Sequence, residues 1–226
     1  LFTLLFSPLI PVSYSAFSRL QNNKEELKNA FFSSLKIMGF LSIPLGTFLF
    51  IESRQIALVV FGDKWKGIEV VIAYIGLMHS TGWLAGLNPE LYRAIGRPDL
   101  NSKLLSLALI YYLPTYVFVS PYGLEYFCIA RFGIAVIAMG LHIYFANRFL
   151  GLGWLSLARG LKYFIVASLI LGAILKIIGV NSRLEGAAYL FISALSFTLF
   201  YILLLFLMDK VFIRNTLKLA KIGIVR

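Results

Sequence analysis

Apolar runs of about 20 residues, the length a helix needs to cross a bilayer, recur along this chain at short intervals. A soluble domain cannot hide that much continuous apolar surface. Segments 1–17, 34–51, 68–89, 103–120, 125–147, 161–180 and 186–208 reach or approach the required length. The spacing predicts an all-α integral membrane protein, a bundle of about seven transmembrane helices. Composition agrees, with 60% apolar residues and 14% charged. The connections leave no room for a soluble domain, so residues 1–226 read as a single transmembrane bundle. The first stretch, "LFTLLFSPLIPVSYSAF", has no basic start and no small-residue cleavage site, so it does not read as a signal peptide. It is expected to be the tail of a membrane helix that begins upstream; the alternative is a complete short chain with a processed start.

The cations sort by side. Arg19, Lys24, Lys28 and Lys36 follow the first segment, and Arg93, Arg97 and Lys103 the third. Arg148, Arg159 and Lys162 follow the fifth, and Lys210, Arg214, Lys218, Lys221 and Arg226 the seventh. The opposite side has only Arg54, Lys64, Lys66 and Arg183. Cytoplasmic loops hold the excess of Lys and Arg, so the C-terminus is expected in the cytoplasm. The net charge of +11 is thereby explained by topology. Aromatics are not interleaved with cations in any soluble stretch, which argues against nucleic acid as a partner.

Two helices carry polar stripes. On a helical wheel, Cys128, Arg131, Ala135, Ala138 and His142 fall within an arc roughly 80° wide. Such a stripe faces protein or a hydrated cavity, while the apolar remainder faces lipid or packed helices. Arg131 is the candidate binder of an anionic group, because its planar, permanently charged fork suits phosphate; His142 and Cys128 are candidate cavity residues beside it. Arg131 lies ~9 Å inside the span. The competing readings are a side chain that snorkels to the interface or pairs with Glu125 or a neighbouring helix. In the third segment His79, Gly82, Gly86, Glu90 and Arg93 share a face. Gly82 and Gly86 are candidates for close helix packing. His79, Glu90, Arg93 and Arg97 are candidates for gating or coupling. The competing readings are a packed histidine, a Glu90–Arg93 interfacial pair, and an Arg97–Asp99 cap on the inner turn. Pro8, Pro11, Pro44, Pro89 and Pro114 are expected to bend or break their helices. Trp65, flanked by Lys64 and Lys66, reads as an interface anchor.

No P-loop, GxSxG, HExxH or dinucleotide-binding glycine pattern occurs. The single Cys128 and two histidines form no metal-ligand spacing. Neither enzyme chemistry, a cofactor nor a metal is expected.

Three stretches carry a family resemblance: "SPLIPVSYSAFSRLQNNKEELKNAFFSSLKIMGFLSIPLGTFLF" (7–50), "IALVVFGDKWKGIEVVIAYIGL" (56–77) and "LYRAIGRPDLNSKL" (91–104). In that order and spacing they resemble the C-terminal half of lipopolysaccharide and exopolysaccharide repeat-unit flippases. These belong to the multidrug/oligosaccharidyl-lipid/polysaccharide exporter superfamily. Residues 105–226 match in hydropathy and topology only. The resemblance implies the C-terminal part of a MATE-like two-bundle transporter in the bacterial cytoplasmic membrane. It also implies an N-terminal half as partner, and undecaprenyl-diphosphate-linked oligosaccharides flipped by alternating access. Proton or sodium coupling is a further possibility. The rival readings are a cation antiporter of the same fold, a membrane polysaccharide polymerase or glycosyltransferase, and a non-catalytic scaffold.

Overall fold

The computed structural model describes residues 2–181, 186–210 and 212. Arg183, Arg214, Lys218, Lys221 and Arg226, counted above among the loop cations, lie outside the described residues, as does Leu1.

In hydrocarbon every backbone N–H and C=O needs an internal partner, which restricts an apolar chain of this kind to helices. Helices α1 (Phe2–Phe6) and α2 (Leu9–Leu20) open the chain. Next come α3 (Lys24–Ile51), the short α4 (Ser53–Ile56), α5 (Ile68–Leu84) and α6 (Asn88–Ala94). Four long helices follow: α7 (Asp99–Val119), α8 (Leu124–Leu150), α9 (Trp154–Asn181) and α10 (Gly186–Met208). No strand occurs among the described residues. Among the described residues, six stretches are long and apolar enough to cross a membrane: Lys24–Ile51, Ile68–Ala94, Asp99–Tyr122, Leu124–Leu150, Trp154–Gly179 and Gly186–Met208.

The first expected segment differs. It is broken at Ser7–Pro8 into α1 and α2, neither of bilayer length. Pro8 and Pro11 lack the N–H groups that would bond Leu4 and Ser7, so the ladder is interrupted twice within one turn. The second segment is longer than expected. Its helix starts at Lys24, where the Asn23 side chain accepts from the Glu26 amide (3.3 Å) and Glu25 and Glu26 occupy the positive first turn. At 1.5 Å per residue, 28 residues extend about 42 Å, so its basic first turns project beyond the ~30 Å hydrocarbon layer. Lys24, Lys28 and Lys36 are therefore helical rather than in a loop.

Pro44 is buried within α3 and leaves the Phe40 carbonyl without its helical donor. Tyr201 on α10 supplies the replacement, its Oη donating to Phe40 O at 3.0 Å. The third segment breaks after Leu84, and Pro89 occupies the first turn of the short α6 that follows.

Helix α3 is central. It packs on one side against α5 and on the other against α9; α5 continues to α8, and α9 to α10. Phe17, Phe31, Leu35, Met38, Leu91 and Leu150 form one apolar core, and Phe164, Ala167, Phe197 and Leu205 another. Helix α7 contacts mainly α8 and exposes Leu109, Ile110, Leu113, Val117 and Phe118, a surface suited to lipid or to another apolar helix.

Backbones approach most closely at Gly46 and Gly76, not at Gly82 and Gly86. A Cβ on Gly46 would lie 2.4 Å from Ser80 Cβ, and one on Gly76 would lie 2.9 Å from Leu49 Cβ. A Cβ on Gly82 would meet nothing within 4 Å. At Gly86 the nearest atoms belong to Trp83, three residues back on the same segment. Within the described residues that pair therefore packs against no neighbouring helix. The chain unwinds after Leu84, so Gly82 and Gly86 border open space rather than a neighbouring helix.

Candidate functional site

That open space is a cavity of about 540 Å³ between α5, α7 and α8. Helix α5 contributes Met78, His79, Gly82 and Trp83, and the break after it adds Ala85 and Gly86. Helix α8 contributes Arg131, Ala135, Ala138 and His142. The two stripes recognised separately in the sequence thus share one cavity. Both follow the 3.6-residue period, which keeps their small and polar residues on the faces turned to each other.

Among the described lining residues Arg131 supplies the fixed charge, and none is a carboxylate. Its guanidinium sits 5.5 Å from the Tyr116 ring centre, and Nη2 lies 3.5 Å from Met78 Sδ. Its Nε is buried without a hydrogen-bond partner among the described residues. None of the ion pairs among those residues includes Arg131, so the pairing with Glu125 considered above is not formed. A buried guanidinium donor with nothing to donate to costs free energy unless an anion or water meets it.

His142 is held from the side. Tyr92 Oη donates to the His142 carbonyl at 3.1 Å and lies 3.3 Å from Nδ1, with the two rings stacked. His79 stacks on Phe2 with ring centres 5.4 Å apart. Cys128 is buried and does not line the cavity, although it lies within electrostatic reach of Arg131, three residues on along the same helix.

Glu90, Arg93 and Arg97 also lie away from the cavity lining. The helix is interrupted at residues 85–87, so the face shared on an unbroken wheel is not carried through into α6. Glu90 is buried and pairs with Arg93, whose guanidinium lies 4.9 Å from the Tyr14 ring centre. Arg97 holds Asp99 with two contacts, of 3.0 and 3.3 Å, and Lys103 adds a third at 2.8 Å. These charges fasten the turn into α7.

Sequence reasoning missed the α7 wall. Asn101, Leu104, Leu105, Ala108, Tyr111 and Tyr112 line the cavity. Their spacing marks a single helical face, but only Asn101 and the two tyrosines break its apolar character, so the wheel carries a weak signal. Among the described residues, no three His, Cys, Asp or Glu side chains converge to hold a metal ion.

Six bilayer-length apolar helical stretches among the described residues, packed together, define an all-α, multi-pass membrane protein. Residues 1–70 match the family described as "Polysaccharide biosynthesis protein". Two curated relatives agree with it. Lipopolysaccharide biosynthesis protein WzxC of Escherichia coli K12 is 29% identical over 115 residues, 49% of this chain and 23% of that protein. An uncharacterized membrane protein in the cps region of Klebsiella pneumoniae is 26% identical over 113 residues, 50% of this chain and 23% of that protein. The matched part thus spans about a quarter of each relative's length. No solved structure matches the chain. The similarity bears out the resemblance to polysaccharide biosynthesis proteins read from the sequence, and the family match contains the whole of its first stretch.

Proposed function

We propose that this chain is the C-terminal bundle of a flippase. It would move lipid-diphosphate-linked oligosaccharide repeat units across the bacterial cytoplasmic membrane by alternating access. The excess of cations at one end of the bundle supports a cytoplasmic C-terminus. A second bundle, the N-terminal half, would close the cavity opposite α8. The observation that carries the reading is Arg131: a permanent cation, with an unpartnered buried Nε, in a cavity whose described lining has no carboxylate. That arrangement suits a diphosphate. It disfavours the antiporter reading, since a cationic drug would meet a like charge and no counter-charge. Tyr111, Tyr112 and Asn101 offer the sugars ring faces and an amide.

The test is Arg131→Ala and Arg131→Lys in the intact gene, at equal membrane abundance. Surface polysaccharide and the leaflet location of the lipid-linked unit are scored. A charge-assisted bond contributes about 1.5–3 kcal/mol, so the alanine variant should lose roughly tenfold to a hundredfold in transport at limiting substrate. Lysine keeps the charge but loses the fork, and should fall between. Wild-type transport by the alanine variant overturns the assignment of Arg131. Normal polysaccharide in a strain lacking the gene and any duplicate overturns the flippase reading.

A further inference from the structure

Glu52 belongs to no site described so far. It is the residue after α3, at the end of the bundle opposite the basic loops, and it is only 3% exposed. Among the described residues its side-chain partner is Tyr189, in the first turn of α10, whose Oη donates to Oε1 at 3.0 Å. Gly179 on α9 backs the same hydroxyl so closely that a Cβ there would lie 2.5 Å from it. The hydroxyl that holds this carboxyl group is therefore packed between α9 and the end of α3.

We propose that Glu52 is a proton-binding site that controls docking of the first turn of α10 against the end of α3. A buried carboxylate needs a cation or several hydrogen-bond donors, and one phenol hydroxyl is not enough. No ion pair among the described residues includes Glu52. The described parts of the neighbouring elements supply no counter-charge. Helix α10 has no Asp, Glu, Lys, Arg or His from Gly186 to Met208. On α4, Arg54 lines a separate cavity with Trp65, Lys66 and Glu69. On α5, Glu69 is occupied by the Gly67 amide at 2.7 Å. On α9, Lys176 is exposed. Arg183 and Glu185, between α9 and α10, lie outside the described residues.

Burial pushes the Glu52 carboxyl above the ordinary carboxylate range, with the Tyr189 hydrogen bond opposing it in part. The sign of the linkage follows. The docked arrangement holds the proton more tightly than one in which Glu52 meets water. Docking is therefore favoured below the raised value, and is lost as pH rises through it and the carboxylate forms. Two packings of α10 would then be exchanged by a single proton. The inference does not depend on the cargo of the main cavity.

The test uses the intact protein in lipid vesicles. Infrared difference spectra across a pH titration follow the protonated-carboxyl band. Hydrogen exchange of residues 186–197, corrected for intrinsic rates, follows the docking of α10. The wild type should show a carboxyl titrating above the ordinary range, and α10 protection that falls through the same midpoint. E52Q keeps the shape and can still accept from Tyr189; it should lose both the band and the pH dependence while staying protected. Y189F keeps the carboxyl and removes the bond that favours its charged form, so the midpoint should move higher. An ordinary-range titration of Glu52 overturns the proposal, as does wild-type pH dependence in E52Q. An unshifted midpoint in Y189F does so too, even where E52Q fails to fold.

Discussion

Substituting Gly46 tests what positions the cavity wall. Its Cβ would fall 2.4 Å from Ser80 Cβ and 2.7 Å from Ser80 Oγ, with the Gly76 carbonyl at 3.3 Å. Carbon atoms pack at about 3.5–4.0 Å, so Gly46→Ala forces α3 and α5 apart by roughly 1 Å or displaces Ser80. Neither is free. Ser80 is buried, and its hydroxyl donates to Ser42 O at 2.7 Å, tying the two helices together. Overpacking costs about 1–3 kcal/mol. Loss of an interhelical bond in a membrane protein adds about 0.6 kcal/mol. The expected destabilisation is about 2 kcal/mol, within those two ranges. The assay is equilibrium unfolding of the purified protein in mixed detergent and denaturant micelles, followed by tryptophan fluorescence. A double-mutant cycle with Ser80→Gly isolates the clash. The pair should be less destabilising than the sum of the singles by about 1 kcal/mol, because Ser80→Gly removes the atoms that the added methyl group would strike. Function should follow, since His79 on the cavity wall adjoins Ser80. A Gly46→Ala variant within about 0.5 kcal/mol of wild type would refute the reasoning, as would strict additivity in the cycle.

Other contacts make equally definite statements. Tyr201→Phe should cost about 1 kcal/mol by orphaning the Phe40 carbonyl. In a Pro44→Ala background that cost should shrink, because residue 44 then has an N–H for the same carbonyl; the same micelle assay reads the coupling. Tyr92→Phe removes both hydroxyl contacts to His142 and should cost about 1 kcal/mol. It should also leave His142 more open to chemical modification, and an unchanged modification rate would contradict the proposed restraint.

Much of the fold was legible because the bilayer imposes a length. Five of the seven expected segments each follow one helix, 68–89 being broken after Leu84, and 186–208 coincides with Gly186–Met208. Misreadings cluster where polar residues continue a helix or prolines end one. Lys24 and Lys28 sit among the loop cations in the sequence, but Asn23 caps a helix that begins at Lys24. Segment 1–17 reads as one helix tail, but the chain breaks at Ser7–Pro8 and Pro11 lies in the first turn of the helix that follows. The quoted "IPLG" stretch, residues 43–46, gained its meaning only in three dimensions. Pro44 frees the carbonyl that Tyr201 satisfies, and Gly46 admits Ser80.

The sequence by itself determined the membrane class, the helical order and the two stripes that hold Arg131 and His79. These are properties of single segments: apolar length, and periodicity about one axis. Only the tertiary structure decided that the stripes face one cavity, that Glu90 and Arg93 turn away from it, and that Glu52 is buried against Tyr189. Those outcomes depend on breaks at particular residues and on which helices become neighbours. Residues 137 positions apart meet at that carboxyl, and no pattern along the chain records their contact.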